Sequence, residues 1–225
     1  NLENLAHGKG VTASTLQEMI DAGVDAGTGG NHTFSKPEAN ELHAAKNTIL
    51  VRPMNAPSGT PGVGQKTFKV GQKTVMVVNF IGEFGMNLEG VENPFVAVQS
   101  WWNNAPKADT IIVDIHAEAT SEKVGFGWYL DGKVGAVLGT HTHVPTADAR
   151  VLPKGTGYIT DVGMSGPYDS VIGMKKEIAI RRFMFQTPFK FEVAEHDVRM
   201  CAVFLQVDVE TGKAVKIEQV IFPGF

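Results

Sequence analysis

Thr110-Ile111-Ile112-Val113-Asp114-Ile115-His116 is a run of mostly apolar, β-branched residues that ends on a histidine. Nearly continuous apolarity over so few residues is the pattern of a strand covered on both faces. Val134-Gly135-Ala136-Val137-Leu138 repeats it and runs through Gly139-Thr140 into His141-Thr142-His143. Between them, residues 121–130 predict a helix stopped by Asp131-Gly132. In open α/β sheets, ligands gather beyond the carboxyl ends of the strands. Both histidine groups fall there.

Upstream, residues 1–10 read as a loop. Ser14 and Gln17 fit a capping box, and Leu16, Met19 and Ile20 carry helical spacing towards Gly23. Thr28-Gly29-Gly30 leads into Asn31-His32, a third strand end bearing polar groups. Lys36-Pro37-Glu38 suits the first turn of a helix reaching about Ala45. Residues 49–51 predict a short strand, 53–64 a Pro/Gly-rich loop, 67–70 and 74–81 a hairpin around Gly71-Gln72, and 95–102 a helix. Downstream, the expected elements are a strand at 157–160, a loop at 161–169 and a helix at 175–185. Strands at 189–194, 201–209 and 214–222 follow, with Thr211-Gly212 turning the last pair. Early βα alternation followed by an antiparallel meander predicts an α/β fold with mixed sheets, as one domain over residues 1–225.

Composition narrows the functions. The hydrophobic fraction of 43 % and charged fraction of 20 % are those of an ordinary soluble globular chain. A net charge of −4 argues against stable nucleic-acid binding through a basic face. It leaves room for a phosphate-bearing substrate if bound cations supply positive charge locally. The one cysteine, Cys201, lies in an apolar strand pattern and reads as a small core hydrophobe. No apolar run is long enough to span a membrane and no secretory leader opens the chain, so the cytoplasm is the expected compartment.

Neutral imidazoles bind borderline metals, so His141-Thr142-His143 can serve one or two ions if the chain bends at the strand end; otherwise both are surface residues. His116 is either a ligand or a hydrogen-bonded core histidine. Glu118, two residues on, either orients an imidazole or caps the next helix. Gly29-Gly30 would bring Asn31 close to a ligand, and His32 beside it is a proton donor or an ordinary turn residue. Glu3-Asn4 is a carboxylate beside an amide, a pairing common in loops. His43 is expected on a helix surface, His196 in solvent, and Trp101-Trp102 in the core or at a subunit contact. His7 and Lys9 are open between a solvated loop and the site.

The ordered set Asn1 to Gly10, Gly30-Asn31-His32-Thr33, His116-Ala117-Glu118-Ala119-Thr120-Ser121-Glu122-Lys123, Gly139-Thr140-His141-Thr142-His143-Val144 and Asp161-Val162-Gly163-Met164-Ser165-Gly166-Pro167-Tyr168-Asp169 resembles the YmdB-like branch of the calcineurin-like metallophosphoesterases. The resemblance covers nearly the whole chain. It implies a four-layer α/β/β/α sandwich of mixed sheets with two divalent metal ions, Fe or Mn first and Zn compatible. Residue by residue, Glu3 would bridge the metals, Asn31, His116 and His141 would complete one site, and Asn4 and His143 would belong to the other. His32 would be the catalytic histidine. The implied reaction is hydrolysis of small phosphodiesters such as 2′,3′-cyclic nucleotides by a metal-activated hydroxide. Such relatives begin with a strand whose Gly-Asp-Val-Val-Gly-like turn supplies an Asp ligand. No such segment occurs here, so the expectation is an N-terminally truncated chain, short by about 30 residues of strand and crossover helix. The alternative is a catalytically impaired metal- or nucleotide-binding regulator; a two-metal amide or ester hydrolase would use similar ligands. A homo-oligomer is left open.

Overall fold

In the computed structural model, which describes residues 1–224, the elements in chain order are α1 (Ala13–Asp21), β1 (Gly27–Thr28), α2 (Ala39–Ala44), β2 (Leu50–Val51), β3 (Gln65–Val70), β4 (Lys73–Ile81), α3 (Pro94–Asn104), β5 (Thr110–His116), α4 (Thr120–Leu130), β6 (Ala136–Thr140), β7 (Arg150–Val151), β8 (Gly157–Ile159), β9 (Gly166–Pro167), α5 (Lys176–Phe185), β10 (Val198–Val207) and β11 (Ala214–Phe222). The main sheet has the order β3-β4-β5-β6-β8-β7. Its inner strands β4, β5, β6 and β8 are parallel, and the edges β3 and β7 are antiparallel. β1 and β2 form a parallel pair, and β9, β10 and β11 an antiparallel sheet. The fold is mixed α/β with mixed sheets, as expected.

The continuous apolarity of the inner strands follows from their position. Met76, Val78, Phe80, Val113, Ile115 and Val137 are buried, and Val98 and Trp101 of α3 and Phe126 and Leu130 of α4 pack into the same core. Each such side chain contributes roughly 1.5–3 kcal/mol by leaving water. α3 begins cleanly because Asn93 accepts from Phe95 N and Val96 N and Pro94 occupies the first turn. A smaller cluster, Val11, Leu16 and Leu50, seats α1 on the β1–β2 pair.

Four local expectations are corrected. The α1 capping box uses Thr12 and Thr15 rather than Ser14 and Gln17. α2 starts at Ala39, and the Glu38 carboxylate is occupied instead by Ala13 N. Residues 189–194 form no strand; Phe191 and Val193 stay exposed, and Val193 makes only an isolated bridge to Met174. His43 is buried, 5.0 Å from the Phe34 ring and against Gly62. Burial, aided by the Arg52 charge, pushes it down to about 4. Cys201 and Trp101 are buried and His196 is exposed, as expected, whereas Trp102 lies outside the core, exposed. No helix among the described residues is long and apolar enough to cross a membrane.

Candidate metal centre

The carboxyl ends of the inner strands share one edge of the main sheet. β5 delivers His116 as its last residue, 1 % exposed. β6 ends at Thr140, and the chain then bends: His141 (φ 106°) and His143 (φ 66°) both adopt left-handed backbone. In an extended chain, side chains two apart share one face and recede along it. The bend instead presents the two rings to neighbouring points. After β1, Gly29 and Gly30 bring in Asn31 and His32. Gly30 is a spatial requirement, since a Cβ there would collide with the Glu3 carboxylate and the His116 ring. Residues 1–10 close the cluster, tied to β1 by Leu2 N donating to Thr28 O at 2.8 Å.

His116 Nε2 stands 3.3 Å from Glu3 Oε1, 2.9 Å from Asn31 Oδ1 and 3.0 Å from His141 Nδ1. One ligand atom from each of Glu3, His116 and His141 lies within 4.8 Å of the others. Contacts outside the cluster orient two of the rings. His141 Nε2 faces Glu118 Oε2 at 3.1 Å, which places its proton there and turns a bare Nδ1 inward. His143 Nδ1 donates to the Ile172 carbonyl at 3.1 Å, leaving Nε2 to face Asn4 Nδ2 at 3.0 Å. Glu118 therefore serves His141 and not His116; nor does it cap α4, which has no side-chain cap.

Carboxylate, amide and imidazole lone pairs thus converge on one small volume, an arrangement that calls for a cation among them. Asn4 tests the fit. Its Nδ2 lies 3.2 Å from Glu3 Oε1, and its Oδ1 is buried without a partner. Turning the amide over aims Oδ1 at the same point as Glu3 and His143. Oxygen and imidazole donors together suit divalent first-row metals.

Burial pushes the Glu3 carboxyl up, but His116 whenever its ring is protonated, with the His32 N–H and charge, outweighs it and brings it to about 2. Glu3 is therefore a carboxylate at any physiological pH. His141 is pushed down by burial and, whenever His116 is protonated, by its charge, against the opposing pull of Glu3 and Glu118. That favours the neutral ring a metal needs. His32 lies at the rim. Its backbone N–H donates to Glu3 Oε2 at 2.9 Å. Burial lowers its ring pKa, Glu3 opposes, and Lys9, His116 and His143 lower it further.

All six expected ligands, Glu3, Asn4, Asn31, His116, His141 and His143, meet in this one cluster, with His32 beside it. Asp161 was missed as a support. Its Oδ2 accepts from Thr142 N at 3.0 Å and Thr142 Oγ1 at 2.9 Å, holding the bend between the two histidines. The loop it opens is fastened further on, where β9 pairs with β10.

Fold and cluster together define an α/β protein whose side chains beyond the carboxyl edge of the sheet could hold a metal ion. The chain belongs to the YmdB-like protein family, whose profile matches residues 1–220. It is 47 % identical over 223 residues to the 2′,3′-cyclic-nucleotide 2′-phosphodiesterase of Bacillus subtilis (strain 168), covering 98 % of this chain and 83 % of that protein. A crystal structure described as a novel phosphatase, from Mycoplasma pneumoniae, superposes with a TM-score of 0.91 at 39 % identity, covering 98 % of this chain and 79 % of that one. A hypothetical protein from Thermus thermophilus gives 0.89 at 40 % identity, over 96 % and 83 % of the two chains.

Proposed function

We propose that this chain is a metal-dependent phosphodiesterase of small phosphodiesters, 2′,3′-cyclic nucleotides foremost, built on a calcineurin-like four-layer sandwich. The observation that carries the reading is the convergence of Glu3, His116 and His141 within 4.8 Å at the strand ends, in a chain of this family. In this reading Glu3 would serve both of two ions, Asn31, His116 and His141 would hold one, and Asn4 and His143 would hold the other. Mn or Fe suits the mixed donors, with Zn compatible. Bound divalent ions would supply charge neutralisation for the phosphodiester and acidify a water molecule.

The chain's own groups do the remaining work. Glu3, held as a carboxylate, sets the centre. The outward contacts of His141 and His143 keep their inner nitrogens free. His32, beside Glu3 at the rim of the cluster, is the proton donor to the leaving oxygen in this reading. Its lowered pKa leaves it neutral in the resting protein. An anionic phosphodiester beside it acts in the same direction as Glu3 and restores the proton it donates to the leaving ribose oxygen.

The test is hydrolysis of 2′,3′-cyclic AMP by the full-length protein with added Mn, for wild type and His32→Ala. The expected result is a kcat loss of about 10²- to 10⁴-fold with metal content unchanged. Equal rates would remove His32 from the mechanism, and inertness of the wild type with Mn, Fe and Zn alike would overturn the phosphodiesterase reading.

A further inference from the structure

Thr140 and Asp114, two residues of adjacent parallel strands, stand behind His116 on the side away from the cluster. The Asp114 carboxylate is 7 % exposed and collects hydrogen bonds from four separate segments. Thr28 Oγ1 donates to Oδ2 at 2.5 Å, Asn1 Nδ2 at 3.0 Å and Asn79 Nδ2 at 3.4 Å. Thr140 Oγ1 donates to Oδ1 at 2.7 Å. A threonine hydroxyl has one proton. Once that proton points at Asp114, Oγ1 has only lone pairs to offer. His116 Nδ1 lies 3.0 Å from that oxygen. The contact is a hydrogen bond only if Nδ1 carries the proton.

We infer that Thr140, its hydroxyl locked by Asp114, is a positioning residue that fixes His116 as the Nδ1–H tautomer and turns a bare Nε2 onto the Glu3, Asn31 and His141 atoms. The metal-binding consequence rests on the proposed function; the tautomer does not. Without the lock, the ring can place its proton on Nε2, towards Glu3 Oε1 and Asn31 Oδ1, and the ligand atom is masked. Residues in this position, orienting a histidine from behind, typically shift metal affinity by about 10- to 100-fold. Thr140→Val keeps the shape and removes the hydroxyl, whereas Thr140→Ser restores it.

The experiment uses full-length protein with ¹⁵N-labelled histidine, metal-free and at alkaline pH where the neutral ring is observed, for wild type, Thr140→Val and Thr140→Ser. Far-UV circular dichroism serves as the folding control. Wild type and Thr140→Ser should show the His116 proton on Nδ1; Thr140→Val should shift it to Nε2 or to a mixture. Titration with Mn should then show about 10- to 100-fold weaker binding for Thr140→Val, with Thr140→Ser near wild type. An Nε2–H tautomer in wild type, or an unchanged signature in Thr140→Val, overturns the proposal. Absence of Mn, Fe and Zn binding alike by wild type overturns the functional reading, and the tautomer signature still decides this one. If Thr140→Val is misfolded, the wild-type tautomer and its retention in Thr140→Ser make the same decision.

Discussion

Lys123 Nζ lies 2.9 Å from Asp161 Oδ2, and neither side chain is more than 2 % exposed. The same carboxylate oxygen grips Thr142 through its N–H and hydroxyl, and Lys123 also donates to Thr140 O at 3.3 Å. One buried ion pair therefore supports the bend that carries His141 and His143. Removing one partner of such a pair strands the other charge in a dry interior. Asp161→Asn should lose about 3–5 kcal/mol in urea unfolding. An unchanged midpoint would mean that Lys123 finds another route to water.

Gly30→Ala separates the site from the fold. The added methyl would meet the Glu3 carboxylate and the His116 ring, both part of the cluster. Displacing catalytic groups by about an ångström can cost on the order of 10²-fold in rate. The expected variant has a near-native circular dichroism spectrum and a phosphodiesterase activity lower by about that factor. Full activity would show that the two groups can retreat without loss.

His43 predicts a pH dependence. The folded chain holds it near 4, against 6.5 when unperturbed. The unfolded chain therefore binds a proton that the folded chain refuses, and stability rises with pH across this window. The full stability is present above about 6.5 and declines as pH falls towards 4, by roughly 3 kcal/mol in total. His43→Leu should lack this component. Urea unfolding at pH 7 and pH 5 should show wild type losing about 2 kcal/mol more than the variant; equal losses would place the proton elsewhere.

Metal removal gives a fourth prediction. A ligand bound only by the folded state stabilises it by about 2.7 kcal/mol at a hundred times its Kd. Mn should raise the unfolding midpoint of wild type by a corresponding amount, and a chelator should reverse it. Glu3→Gln removes the charge at the centre of the cluster and should abolish most of the response. A Mn response unchanged in Glu3→Gln would move the ion away from Glu3.

The inner strands were legible because burial on both faces leaves a one-dimensional mark: the apolar runs ending at His116 and before His141 lie where the sheet places them. The clustering of the six candidate ligands was legible mainly through their order along the chain, since Glu3-Asn4 alone carries no signal. What the sequence hides is pairing at long range. Lys123 sits in the helical stretch 121–130 like any surface lysine, and only the fold shows that it is buried against Asp161, 38 residues on. Asp114 reads as an interruption of an apolar run until Thr28, Asn79 and Thr140 are seen around it. His43 was misread because a six-residue helix has too few positions to reveal which side faces inward. Residues 189–194 have the composition of a strand, but their pairing is confined to one bridge, Val193 with Met174.

The left-handed backbone at His141 and His143 sets thermodynamic optimisation against chemistry. Each such position costs a non-glycine residue roughly 1–2 kcal/mol, and glycine is spared it. A screen that ranked variants of this protein by melting temperature alone would be drawn towards His141→Gly and His143→Gly. It would return hardier chains stripped of two imidazoles of the candidate centre, so thermostability engineering here has to hold both positions fixed.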